Sequence, residues 1–401
     1  MENSPPLALA PVQNNIPSYS ALGSGTSAFF PLGLIAIPTK AQWPYIQQWH
    51  LDVQHEFPWR FVGVLSYVGT KGTHLVREAD INQIGSTPLD QNPFLPGEAI
   101  DCSLGTTPSG AAITGQAAIN FAVACGADPN PFRPFLGHGD INRREDRASS
   151  TYHGLQLSAR KVLGALQFSF AYTYSHAIDD GSDGLDPIID TYHPRFNRGS
   201  SGFDVRHLLT ASYVYDLPFF RGSGLAHTLL GGWEYSGIIN YQSGSPFNVV
   251  SSVDNAGVAN GTFGSTSYPD VIGDPNSNIP NAPPGTGFGP FQYNPAVFVE
   301  PRGLTFGNVG RNRLTNPHTT NFDMALFKHF PIHESIGLEF RAEAFNIFNH
   351  TQFGYLGGSS GSAGGVSAIS SFTNTLGADG FLQPNAAHNA RILQLGLKLI
   401  F

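Results

Sequence analysis

The residues able to do chemistry are scattered, and their spacings exclude more than they offer. In IDDGSDGLDP, from Ile178 to Pro187, Asp179, Asp180, Asp183 and Asp186 alternate with glycines. Calcium takes several oxygen ligands from a flexible loop. The spacing is not that of an EF-hand, however, and Asp, Gly and Ser are ordinary turn residues. The 14 histidines show no HExxH or other paired spacing, so no metal centre is expected. GTKGTH, Gly69–His74, lacks the GxxxxGK[ST] spacing of a phosphate loop and reads as a strand end. Ser, His and Asp all occur, but without a G-x-S-x-G nucleophile elbow. Glu339, Arg341 and Glu343 stand two residues apart. Acid–base catalysis is one use of such a trio; a hydrated ladder of mutually compensating charges is the better one. No cofactor and no enzymatic activity are expected.

That ladder needs a strand to hold it, because alternate strand residues share a face. In SIGLEFRAEAFNIF, Ile336, Leu338, Phe340, Ala342 and Ala344 oppose Gly337, Glu339, Arg341 and Glu343. The last residues, RILQLGLKLIF, repeat the pattern. Leu393, Leu395, Leu397, Leu399 and Phe401 line one side, and Gln394, Gly396 and Lys398 the other. Similar segments start at Tyr45, Trp59, Tyr152, Ala165, Phe203, Gly231 and Asn321. They make nine strands, and the last is about as long as the ~9–11 residues of a tilted transmembrane strand. A tenth has room within Ala28–Pro38.

Composition agrees. Charged residues are 12% of the 401, Gly 46 and Pro 30, and aromatics reach 12%. This is strand and turn chemistry rather than helix chemistry. The net charge of −8 and the lack of a basic cluster argue against a nucleic-acid partner. No apolar run approaches the ~18 residues of a membrane helix. The start, MENSPPLALAPVQNN, lacks the basic region of a secretory signal. Cys102 and Cys125 share one polar stretch; a disulfide and two separate thiols both fit.

Loop lengths discriminate between architectures. Short connectors at Phe57–Trp59, Gly164 and Phe330–Ser335, and an intermediate one at Leu217–Gly231, alternate with long ones. The long ones run roughly 71–150, 179–202, 244–319 and 350–389. A transmembrane barrel has short periplasmic turns and long extracellular loops. Aromatics near strand ends, such as Tyr172, Tyr174, Tyr213, Tyr215, Trp233 and Tyr235, suit its girdles, although cross-strand pairing in a soluble sheet would use them too. The fold expected is all-β: an antiparallel up-and-down transmembrane β-barrel segment of about nine to ten strands, incomplete and curled, with long disordered loops on one rim. An irregular segment over residues 1–40 precedes a barrel portion over 41–401.

QQWHLDVQHEF, VGVLSYVGTKGTHL, YHGLQLSARKVLGALQFSFAYTYSHAIDD, FDVRHLLTASYVYDLPF, GGWEYSGIINYQSGSPFNV and RAEAFNIFNHTQFG follow in order before the terminal strand. Together they resemble the C-terminal half of a TonB-dependent outer-membrane receptor barrel, most closely the Oar-like branch common in Acidobacteria. The resemblance implies residence in the outer membrane, contact with its lipid and assembly by the barrel assembly machinery. That machinery reads a C-terminal signal, which Gln394, Gly396, Leu399 and Phe401 match residue by residue. Glu339, Arg341 and Glu343 would face the lumen. Such receptors have about 22 strands together with a plug, a TonB-contacting segment and a signal peptide. This chain reads as a fragment without them, so TonB would act only through the missing plug. The ligand is not legible. Tyr268, Phe288, Phe291 and Tyr293 lie in one long loop, free to stack on a ligand or on one another. A self-closing small pore or adhesin and a soluble secreted carbohydrate-binding β-sandwich are the competing readings.

Overall fold

The computed structural model describes residues 32–40, 42–182, 188–220, 222, 224–251, 253–259, 267–282, 285, 287–333, 336–353, 373–384 and 387–401. Nine strands form one antiparallel meander: β1 (Tyr45–Phe57), β2 (Phe61–Asp80), β3 (His138–Lys161), β4 (Leu166–Asp179), β5 (His207–Asp216), β6 (Trp233–Gln242), β7 (Thr319–His333), β8 (Ile336–Phe345) and β9 (Ile392–Ile400). Each pairs with its sequence neighbours, and β1 and β9 are the two edges. The expected tenth strand exists as Leu32–Ala36. It does not extend the meander; it pairs in parallel with His138–Arg143 at the outer end of β3. No helix among the described residues is long and apolar enough to cross a membrane.

Local chemistry accounts for the tight turns. The β1–β2 hairpin closes at the Phe57–Phe61 pair, with Trp59 and Arg60 at φ 67° and 60°. After Pro58 both occupy the left-handed region, which turns this three-residue loop back on itself. Gly164 does the same work between β3 and β4 at φ 100°, where a side chain would be strained.

Strands β2 and β3 are 20 and 24 residues long, well beyond a bilayer crossing. The register shifts between Gly72 and Val76, and past this bulge the pair continues as a separate outer ladder. Here the pattern of alternation gives way to buried charge. Arg77 and Arg143 bond Glu145, Arg144 faces Glu78, and Arg133 bridges Asp80 and Asp140. Burial alone would raise the Glu145 carboxyl; the two guanidiniums override it and hold the carboxyl below the usual range. Glu78 has only Arg144, 3.5 Å away, and burial outweighs it and pushes the carboxyl up.

The long loops correct the expectation of disorder. Their described parts fold over one end of the sheet into a cap with two apolar cores. One joins Phe247, Val249, Tyr268, Phe298, Val309, Leu314 and Leu382; the other joins Phe94, Ala117 and Leu304. The helix Gln116–Ala124 carries Asn120, which donates to the carbonyls of Gly85 and Gly257 and accepts from Thr87. Gly257, at φ 61°, lies so close to the Asn120 carbonyl that a Cβ would overlap it. Cys102 and Cys125 form a disulfide across this loop.

Candidate functional site

The pairing registers place every strand's residues on one of two continuous faces. Glu339, Arg341 and Glu343 of β8 lie opposite Lys398, Gly396 and Gln394 of β9, and opposite His329, Phe327 and Ala325 of β7. Followed across the sheet, the same face carries Asn240 and Ser236 of β6, Thr210 and Ser212 of β5, and Ser169 and Thr173 of β4. It continues to Gln156 and Ser158 of β3, Ser66 of β2, and Asp52 and Gln54 of β1. This mixed, largely polar face is the concave one: Gln167, Ser169, Ser212, Ser236, Asp323 and Glu343, from five strands, line one cavity of about 520 Å³ together with Val214, Ile238 and Phe327. Arg341 donates through Nε to Glu339 and lies 5.5 Å from the centre of the Phe327 ring. The expected charge ladder is therefore a bonded pair with Lys398 opposite it, and Glu343 opens to the cavity.

The other face is apolar from edge to edge. Leu393, Leu395, Leu397 and Leu399 stand opposite Ala344, Ala342, Phe340 and Leu338, and Leu51 and Val53 opposite Tyr67 and Leu65. No second sheet covers it among the described residues. Leu395 is 76% exposed, Leu397 67% and Leu51 67%. Soluble monomers rarely leave an apolar patch beyond a few hundred Å² uncovered. The two-layer sandwich is thereby overturned, since its core would have to cover this face.

Aromatics mark both margins of that face. On the short-turn side Phe57 stacks on Phe61 at 4.6 Å, Tyr213 meets Tyr235 at 5.4 Å and Trp233 meets Phe340 at 6.0 Å. On the long-loop side Trp49 and Tyr67 flank His153, and Tyr172 and Tyr174 flank His207. Tyr67 and Tyr172 each sit 2.8 Å from their imidazole Nδ1. Glycines accommodate the rings: a Cβ at Gly69 would overlap the Trp49 indole, and one at Gly237 the Tyr213 phenol. Lys328 carries a charge on this face. It reaches the short-turn margin, donates to the Gly231 carbonyl and lies 5.6 Å from the Trp233 ring centre. A long side chain can thus keep its stem in apolar surroundings and its head at the polar boundary.

Several further sequence candidates sit in ion pairs or in the cap's core. Asp179 binds Arg311, and Asp180 binds Ser149 and Arg198. Asp183 and Asp186 lie outside the described residues. No three His, Cys, Asp or Glu residues among those described are grouped to hold a metal. Tyr268 is buried against Phe196, and Tyr293 packs on the same core with its hydroxyl donating to the Thr315 carbonyl. The outer charge ladder is not legible in the sequence, where the run NRREDR before an alternating segment fits a solvated loop equally well.

A family model described as an outer membrane beta barrel domain matches residues 2–394. No curated protein matches the sequence. Among solved structures, the outer membrane transporter YddB from Escherichia coli is similar at a TM-score of 0.37 and 9% identity, over 89% of this chain and 32% of that one. The siderophore receptor PirA from Acinetobacter baumannii gives a TM-score of 0.37 and 8% identity, with the same coverage of 89% and 32%. The chain thus spans about a third of the length of these solved structures.

Proposed function

This chain belongs to the outer membrane beta barrel domain family, and from that premise we propose that it is the C-terminal barrel portion of a TonB-dependent transporter or receptor. The apolar face then meets lipid, the polar face bounds the lumen, the short turns are periplasmic and the capped loops are extracellular. The task is transport and binding rather than catalysis. Energy would enter through a plug domain of the parent protein, and TonB would touch that plug rather than these strands.

The observation that carries the proposal is the direction of the two edges. Among the described residues β1 and β9 are the unpaired edges of a nine-strand meander, so both run toward the short turns. Closing one on the other would need a parallel seam. An antiparallel seam, which bacterial barrels with even strand numbers use, needs an odd number of further strands. In lipid each unpaired backbone group costs several kcal/mol, so the edges require partners.

In this reading Gln394, Gly396, Leu399 and Phe401 form the signal for the barrel assembly machinery. Leu399 is 55% and Phe401 93% exposed, and the outer edge of β9 is open to a new strand. Glu339, Arg341 and Glu343 serve as lumen charges. Reading the coding DNA upstream of Met1 tests the proposal. A continuous frame encoding further strands, a plug and a signal peptide is expected. An upstream stop codon, together with heat-modifiable migration of the chain alone, would favour the self-closing pore instead.

A further inference from the structure

We propose that the cleft between residues 196–206 and 308–315 of the cap binds an anionic sugar, one that presents both an acid group and hydroxyls. The cleft has a volume of about 470 Å³, within the ~300–1,000 Å³ of small-molecule sites. Its decisive lining residues are Arg198, Arg206, Arg311, Arg313, Asp204 and Asn312. They come from two loops far apart in sequence, which meet beside the outer end of β4.

Charge indicates the first half of the ligand. Four guanidiniums converge on one cleft. Asp180 takes Arg198 at 3.1 Å, Asp204 takes Arg206 at 2.9 Å and Asp179 takes Arg311 at 2.6 Å. Arg313 stands exposed on the lining, and no carboxylate among the described residues pairs with it. Arg206 uses Nε on Asp204 and one terminal nitrogen on His176. The cleft therefore holds a surplus positive charge with planar donors, the geometry that grips carboxylate or phosphate oxygens.

Asn312 indicates the second half. It is 3% exposed and held at φ 54°, a left-handed conformation that asparagine tolerates. Its backbone N–H donates to Asn248 Oδ1 at 2.7 Å, and its Nδ2 donates to the Ser200 carbonyl at 2.8 Å. The side chain is thus fixed, yet Oδ1 is buried without a donor. A buried acceptor left unpaired is costly and calls for a partner. A carboxylate or phosphate has no proton to give at neutral pH, so the anion alone cannot satisfy this oxygen. A hydroxyl on the same molecule can.

The test uses the full chain in detergent at low salt, with saturation-transfer NMR titration of three probes: D-glucuronate, glucose 6-phosphate and D-glucose. At least one acidic sugar is expected to bind, with glucose weaker by about tenfold; which acid binds identifies the acid group as carboxylate or phosphate. Arg313→Glu, on an exposed residue, is expected to weaken the acid by roughly tenfold, and Asn312→Asp to weaken it as well by placing a like charge at the acceptor. Binding of neither acid, equal binding of glucose, or an unchanged affinity in Arg313→Glu overturns the proposal. Binding is read on this chain alone, so its failure leaves the transporter reading standing, and failure of that reading leaves the cleft untouched.

Discussion

Replacing Leu395 by arginine separates a lipid-facing sheet from a protein-covered one. Strand β9 runs Ile392–Ile400, so Gly396 marks its middle and Leu395 lies one residue away. With a rise of about 3.3 Å and a tilt of about 40°, that residue sits about 2.5 Å from the bilayer midplane. Its side chain lies on the apolar face beside Ala342 and is 76% exposed. Arginine at this depth costs about 2–4 kcal/mol, or roughly 30- to 900-fold in the folding constant at about 1.36 kcal/mol per tenfold. The neighbouring Gln394→Arg provides the control, because Gln394 faces Glu343 on the polar side; it is expected to cost less than about 0.5 kcal/mol. The assay is urea-titrated insertion of the full chain into phosphatidylcholine vesicles, followed by tryptophan fluorescence. A Leu395→Arg chain within about 0.5 kcal/mol of the parent, or a Gln394→Arg penalty larger than that of Leu395→Arg, would refute the assignment of faces.

Other outcomes follow from the same geometry. Removing Phe401 is expected to slow assembly into the outer membrane in cells while leaving the strands able to fold in detergent, read by surface accessibility and heat-modifiable migration. Arg77 and Glu145 are both buried, so Glu145→Gln should destabilise the outer ladder by about 3–5 kcal/mol, seen as faster hydrogen exchange at Leu75–Asp80. The Glu145 carboxyl is held below its ordinary 4.5, so its stabilisation is fully present above that value. It is lost only as pH falls through the lowered folded pKa; loosening of the ladder already at pH 6, traceable to this residue, would contradict the sign. Reducing Cys102–Cys125, which are 23 residues apart, should cost the cap about 3 kcal/mol and increase proteolysis within residues 102–125, with the membrane strands unaffected.

How much was readable in advance follows the range of the forces involved. Alternation is a property of neighbouring residues, so QLGLK and EFRAE already announced a strand, its two faces and the position of Glu339, Arg341 and Glu343 on one of them. The alternating loop lengths likewise implied a meander with one crowded end. Where a strand left the lipid, that signal stopped. Nothing in HGDINRREDR distinguishes a solvated loop from the ladder of β3, because its charges are stable only when Arg77, Glu78 and Asp80 arrive opposite them. The cap behaves in the same way. Tyr268 and Phe247 complete their core only when Leu382 arrives from beyond β8, and Asn312 meets Ser200 across more than a hundred residues. Local periodicity determined strands and faces from sequence alone, since it needs no partner. Burial, ion pairing and the cleft of arginines were decided by the tertiary structure, since each depends on which distant segment supplies the other half of the contact.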